Sequence, residues 1–295
     1  MTSTFEEAII KTLVYADIFD YPLRKEEIRK WMIKVKSQKS KVKNTIKKLK
    51  IIKRQNERFF LKGRENIVKL RKEREKYSQE KFRIARRVVF WLKFIPTVRF
   101  IGITGALAIN NAKKEDDIDL FIITSKGLLW TTRLLTTLLI DILGIRRRPY
   151  DREVNNKICL NMFMDEDCLT ISPKEQDLFS AHEVIQVKPL YNKDKTYEKF
   201  IIANWWVRKY LPNAISIKYQ SVSRRTSIKH KQNSLLHCYI VILLNSAEIV
   251  LKKLQLWYMR KRQTTEVIRD GIIRFHPQDA RVWVLRKYKK RLMRD

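Results

Sequence analysis

Apolar residues in the first fifty positions recur at helical rather than strand spacing. Phe5, Ala8, Ile9 and Leu13 share one face of residues 5 to 16, FDYPL supplies a turn, and EEIRKWMI opens a second helix after Arg24. In KSKVKNTIKKLKIIK, a third helix puts Val42, Ile46 and Leu49 on one side, while Lys39, Lys41, Lys43, Lys47 and Lys48 fill much of the rest. The period then changes: IIKRQNERFFLKG reads as two short strands joined around Gln55 to Glu57, a hairpin. From Arg64 to about Phe94 there is neither glycine nor proline, and strong helix formers predict one long helix that stops before Pro96. Its first half is charged nearly all round, whereas Ala85, Val88, Val89, Trp91 and Leu92 make the second half amphipathic. That suits a helix that leaves one unit through solvent and packs on the next.

Further along, VRFIGIT, IDLFIIT and KICLNMFM predict strands and LLWTTRLLTTLLIDIL an amphipathic helix. After Ser172 the pattern is mostly helical, in KFIIANWWVRKYL, in Leu235 to Arg260 and in DARVWVLRKYKKRL. The fold class expected is α+β, with units at 1–63, 64–94 (the connecting helix), 95–171 (a mixed sheet) and 172–295 (helical). A chain of 295 residues is long enough for two or three such units.

Composition adds a partner class. Sixty-four Lys and Arg against 31 Asp and Glu leave a net charge of +33, which favours an anionic partner, nucleic acid or a lipid surface. A Lys-rich, Gly-poor composition accounts for part of that excess as solvated surface. Three cysteines, Cys159, Cys168 and Cys238, show neither a CxxC spacing nor an even count, which fits a reducing compartment and excludes a disulfide framework. The start, MTSTFEEAII, lacks the basic n-region of a secretory signal, and a cytoplasmic location is expected. Leu235 to Leu244 is the longest apolar stretch and is broken by Asn245 and Glu248. It falls well short of the roughly 20 residues a membrane-spanning helix requires, so no transmembrane segment is expected.

Candidate chemistry concentrates in FIGITGALAINNAKKEDDIDLFIIT, residues 100 to 124. Side chains two apart on a strand share a face, so Asp117 and Asp119 project together and can hold hard cations through oxygen. Gly105 ends the preceding strand, where a missing Cβ lets backbone amides approach phosphate. Strand, glycine turn, Asp-Ile-Asp and a following apolar strand together resemble the signature of the DNA polymerase β-type nucleotidyltransferase superfamily, at the family's interval. The resemblance covers roughly residues 98 to 165. It implies Mg2+, two ions, on Asp117 and Asp119, an NTP held at Thr104, Gly105 and Ala106, and transfer of a nucleoside monophosphate to a hydroxyl with release of pyrophosphate. The acceptor is left open among RNA, protein and a small molecule.

Three positions depart from that family. Ala106 replaces the serine that donates to phosphate, with Thr104 as a nearby hydroxyl. Asn110 stands where many members have a second glycine, and Asn visits left-handed conformations readily. The third carboxylate, the proposed base, usually sits on the strand beside the Asp-x-Asp strand, where Asn161 is the inward polar residue. Asp165, four residues on and of the same parity, is the candidate preferred to Glu166 and Asp167. Without a third carboxylate, the alternative is a degenerate transferase acting as a nucleic-acid-binding regulator.

The first 63 residues resemble a winged helix-turn-helix domain, which implies possible nucleic-acid binding through its lysines. Arg133 and Arg146 to Arg148 are read as helix-end or solvated charges, with phosphate contact as the other use. His182 and His276 lack partners at metal-ligand spacing and are read as structural. Asp279 is read as a cap of the last helix, and Trp205, Trp206, Trp257 and Trp283 as core anchors.

Overall fold

Helix α1 (Thr4–Asp17) buries Phe5, Ala8, Ile9 and Leu13, the stripe its spacing requires. The computed structural model describes residues 4–36, 39–148, 151–215, 235–260, 267–274 and 280–293. After α1 come β1 (Leu23–Arg24), α2 (Lys25–Trp31) and α3 (Lys39–Lys48), then a hairpin of β2 (Ile52–Gln55) and β3 (Arg58–Leu61). Asn56 and Glu57 turn the hairpin with φ of 48° and 63°, the pair of positive values that matches strand twist in a two-residue turn. The two-residue β1 pairs with β3, giving an antiparallel sheet of order β1-β3-β2. On α3, Val42 and Ile46 are buried and Lys41, Lys43, Lys47 and Lys48 are exposed.

The long helix is continuous from Asn66 to Leu92 and is α4. Its charged first half does not run through solvent as its composition suggests. Arg71, Arg74, Ser78 and Lys81 are buried there, since α4 lies against the N-terminal elements. Arg71 donates to Glu27 at 2.7 and 2.8 Å and Arg58 reaches Glu75 at 2.7 Å, so each buried cation meets a carboxylate.

A six-stranded mixed sheet fills the centre, in the order β7-β4-β5-β6-β9-β8. Strands β4 (Val98–Ile103), β5 (Ile118–Thr124) and β6 (Ile158–Asp165) were legible in the hydrophobic pattern, with β5 and β6 parallel and β4 antiparallel to β5. Half of the sheet comes from beyond Ser172, where mostly helices were expected: β7 (Lys188–Asn192), β8 (Val267–Arg269) and β9 (Ile272–Arg274). These strands are three to five residues long and their patterns are mixed, too short for a period to show.

One face of the sheet packs on α4 and on α6 (Leu129–Ile142), through Ile101, Ile118, Leu120 and Ile122. On the other, Phe100, Phe121, Ile123 and Met164 meet α7 (Leu178–Gln186) and α8 (Thr196–Ala203). That second core runs on without a break into the apolar residues of α1 and α2 and to Val284 and Tyr288 of α10 (Ala280–Leu292). Helix α9 (Leu235–Arg260) lies beside α6, where Gln255 and Glu248 bond the first turn of α6. The protein is therefore α+β, with ten α-helices among the described residues. Among those residues no helix is long and apolar enough to cross a membrane.

Candidate functional site

Strand β4 delivers Thr104 and then Gly105, which opens the short helix α5 (Gly105–Ala108) with φ of +65°. A Cβ on Gly105 would stand 3.1 Å from Oδ2 of Asp119, in a backbone conformation L side chains seldom adopt. The turn is fixed to the neighbouring strand by the Thr104 N–H, which donates to the Asp119 carbonyl at 3.1 Å. Asn110 takes φ of +57°, the left-handed conformation its side chain tolerates.

The loop between turn and carboxylates is held from outside. Tyr21 donates its hydroxyl to the Ile109 carbonyl at 3.0 Å, Asn111 Nδ2 donates to the Phe19 carbonyl at 2.9 Å, and the Ala112 N–H donates to Ser78 Oγ at 3.2 Å. Lys81 of α4, 1% exposed, donates to the carbonyls of Lys114 (3.0 Å) and Asp116 (2.6 Å) and to the side chains of Asn155 and Asn156 (each 3.0 Å). One ammonium thus ties the approach to β5 to the approach to β6.

Asp119 shares its parity with Phe121 and Ile123 and faces the α7 side of the sheet. Asp117, Asp119 and Cys159 each offer a ligand atom, all within 4.8 Å of one another. Burial, with Asp117 adding repulsion, pushes the Asp119 carboxyl up to about 7. Arg147 lies against the pair, its Nη1 2.5 Å from Asp117 Oδ2, so it is neither a solvated charge nor a helix cap. Arg146 and Arg148 instead pair with Asp141 at 2.8 and 3.5 Å.

The third carboxylate is not where the alternation argument puts it. In the parallel ladder Asp119 faces Cys159 and Phe121 faces Met162, so β6 carries one extra residue and its parity switches. Cys159, whose thiol burial holds well above its usual value, therefore stands beside the metal-type pair. Asp165 faces Thr124, five residues along β5, which is about 16 Å from Asp119 at roughly 3.3 Å per residue. There its carboxylate accepts from the N–H groups of Gly127 (2.6 Å) and Asp167 (3.0 Å), capping a turn. Glu166 and Asp167 are at the same remote end, on Lys126.

Asn161 falls in the irregular stretch of β6, 4% exposed, with Nδ2 3.4 Å from Thr104 Oγ1 and with no partner for Oδ1 among the described residues. It borders a cavity of about 360 Å³ that also touches Thr104, Gly105, Ala106, Phe121 and Glu183. Glu183, pushed up to about 7 by burial, is a polar group of this region that the sequence does not single out. In LFSAHEVIQ it reads as an ordinary charged position of an amphipathic helix.

His182 is structural, as its spacing suggests: it stacks on Tyr15 at 4.1 Å and burial pulls it down to about 3, with Lys30 adding to the shift. Trp205 and Trp206 are half-buried, but Trp257 and Trp283 are 71% and 44% exposed and do not anchor a core. Arg133 bonds Gln255 of α9. His276, Asp279 and the side chain of Cys238 lie outside the described residues. Comparison with protein-family models, with curated proteins and with solved structures finds no match for this chain.

Proposed function

We propose that this protein is a nucleotidyltransferase of the DNA polymerase β type, which moves a nucleoside monophosphate from an NTP to a hydroxyl-bearing acceptor and releases pyrophosphate. The observation that carries the reading is the fit of Gly105 to Asp119, because a turn shaped around a carboxylate has a purpose that Asp-x-Asp in a surface loop would lack. Asp117 and Asp119 would hold the divalent cation, Mg2+ by preference of hard oxygen donors. When bound, that cation supplies charge stabilisation at the phosphates. The donor set fits the role, since two close, partly buried carboxylates repel and Arg147 already offsets one of them.

The chain's own groups supply the rest. Amides at the first turn of α5 have no partner within the helix and face the region where phosphate oxygens would lie. Arg147 is placed to shift from Asp117 to a phosphate oxygen, offering a guanidinium fork. Cys159 as a thiol takes no proton, so the base is not on β6 beside the Asp-x-Asp strand.

The N-terminal elements support a winged helix-like reading, through three helices, the β1-β3-β2 sheet and the exposed lysines of α3. Nucleic acid remains a partner proposed for that surface. A reducing, cytoplasmic setting agrees with Cys159 and Cys168 being free thiols. Cys159 and Ala106 favour one second reading, a regulator whose transferase site is degenerate. Incubation with each α-labelled NTP and Mg2+, in the presence of cell RNA and small-molecule extract, separates the two. Label should move with wild type and fall by about three orders of magnitude in Asp119→Asn, the scale of losing a transition-state charge stabiliser. Equal turnover in the variant would exclude the enzyme reading.

A further inference from the structure

The cavity beside the glycine turn is enclosed by five parts of the chain. Tyr15 and Phe19 come from α1 and its end, Phe121 from β5, Phe179 and Glu183 from α7, and Phe200 from α8. Arg281 of α10 adds to one wall, and α10 is tied across to α1 by an ion pair of Arg291 with Asp17. About 360 Å³ walled mainly by rings and aliphatic side chains is the form of a small-molecule pocket, with a few polar groups to set orientation.

Those polar groups are unspent. Tyr15 and Asn161, 3% and 4% exposed, border the cavity, and the Tyr15 hydroxyl and the Asn161 Oδ1 have no hydrogen-bond partner among the described residues. Native proteins seldom leave such atoms orphaned without a ligand or water to meet them. The charges of the lining are already matched at one end. Glu175 holds Arg274 at 2.8 Å and Arg269 at 3.2 Å, and Arg281 reaches Asp177 at 3.7 Å and the Lys174 carbonyl at 3.3 Å. Glu183 has neither ion pair nor hydrogen bond among the described residues, and the Asp117 and Asp119 pair lies just beyond the turn. The unmatched charge that faces the cavity is negative, in a chain whose net charge is +33.

We propose that this cavity is the acceptor site, and that the acceptor is a small cation: an amine carried on an apolar ring or chain that also bears a hydroxyl. The ammonium group pairs with Glu183, the ring fills the space between the phenylalanines, and the hydroxyl points to the turn at Thr104 and Gly105. The assignment rests on the nucleotidyltransferase reading for its chemistry. In that chemistry the acceptor oxygen bonds to the α-phosphorus, the α–β bridging P–O bond breaks, pyrophosphate leaves with the electron pair, and the hydroxyl proton goes to solvent. An RNA or folded protein acceptor does not enter a cavity closed by α1 and α10.

Binding can be read without turnover. Saturation-transfer NMR and calorimetry would compare tyramine and tryptamine with 3-(4-hydroxyphenyl)propionate, which keeps tyramine's ring and hydroxyl and exchanges ammonium for carboxylate. The amines should bind the full chain at least tenfold more tightly than the acid. That preference should vanish in Glu183→Gln, and Ser180→Trp, which fills the cavity, should abolish binding while the melting curve stays cooperative. Binding should survive Asp119→Asn, so a failed transferase assay leaves this result standing. Equal binding of the acid, amine binding that both cavity variants leave unchanged, or no amine binding at millimolar concentration would overturn the assignment. Displacement of tyramine by ATP without metal would also overturn it, by giving the cavity to the nucleobase.

Discussion

The two faces of the central sheet are built from the same strands and differ in what they leave unfinished. Toward α4 and α6, Ile101, Ile118, Leu120 and Ile122 are completely buried among apolar neighbours, and Lys81 at the margin has four acceptors for its ammonium group. Toward α7, the same strands carry Asp119, Cys159 and Asn161, enclose a cavity, and leave buried oxygens of Tyr15 and Asn161 without partners. Buried polar groups that find partners stabilise a scaffold, and those that do not cost free energy that binding can recover. The first face reads as the scaffold and the second as the working surface. Gly102 marks the boundary: a Cβ there would come within 2.8 Å of the Val187 side chain, so β4 sits close to the start of β7.

Substitutions on either face test that division. Ile122→Ala on the packed face should cost about 2–5 kcal/mol, the range for emptying a tight apolar site, and leave metal affinity intact in the folded fraction. Chemical denaturation against Mg2+ titration distinguishes the two effects, and a small loss of stability would mean that this face is not close-packed. Lys81→Met should cost less, roughly 1–3 kcal/mol for buried acceptors deprived of a donor. It should also weaken Mg2+ binding, because the loop before Asp117 loses its tie to α4. Unchanged metal affinity would show that the loop holds the carboxylates by itself.

The smallest effect belongs to Glu183, and its sign is fixed by linkage. Its carboxyl sits near 7 in the folded protein against 4.5 for an ordinary glutamate, so between those values the native state keeps a proton that the unfolded chain has lost. Stability therefore falls as pH rises from 4.5 toward 7, and the loss is complete above 7. Glu183→Gln should flatten that part of a melting-temperature profile and raise stability at pH 8. A profile parallel to that of wild type would place Glu183 in water rather than in the cavity. Asp119 contributes a slope of the same sign, which the variant leaves in place.

Long or strongly patterned elements were legible in the residues. The amphipathic stripe of α1, the glycine-free run of α4, the apolar strands β4 and β5, and the turn at Gly105 all follow from spacing that local sterics impose. The pairing of Asp117 with Asp119 on one face is of this kind, because strand alternation needs no partner to set it. Other features depend on partners far along the chain. Strands of three to five residues after Ser172 take their conformation from the edges they join. The charged start of α4 is buried because Glu27 of α2 meets it. The extra residue in β6 exchanges Asn161 for Cys159 beside Asp119 and moves Asp165 to the far end. A single inserted residue reverses every side chain beyond it, and its position is decided by packing across the ladder rather than by residue type. Glu183 is the same case: a half-buried carboxylate on an ordinary helix, given its setting by α1, α8 and the sheet. The sequence by itself determined the α+β class, the main elements and the Asp-x-Asp turn, because these are local. The tertiary structure decided which groups share the site, because burial and register are properties of neighbours.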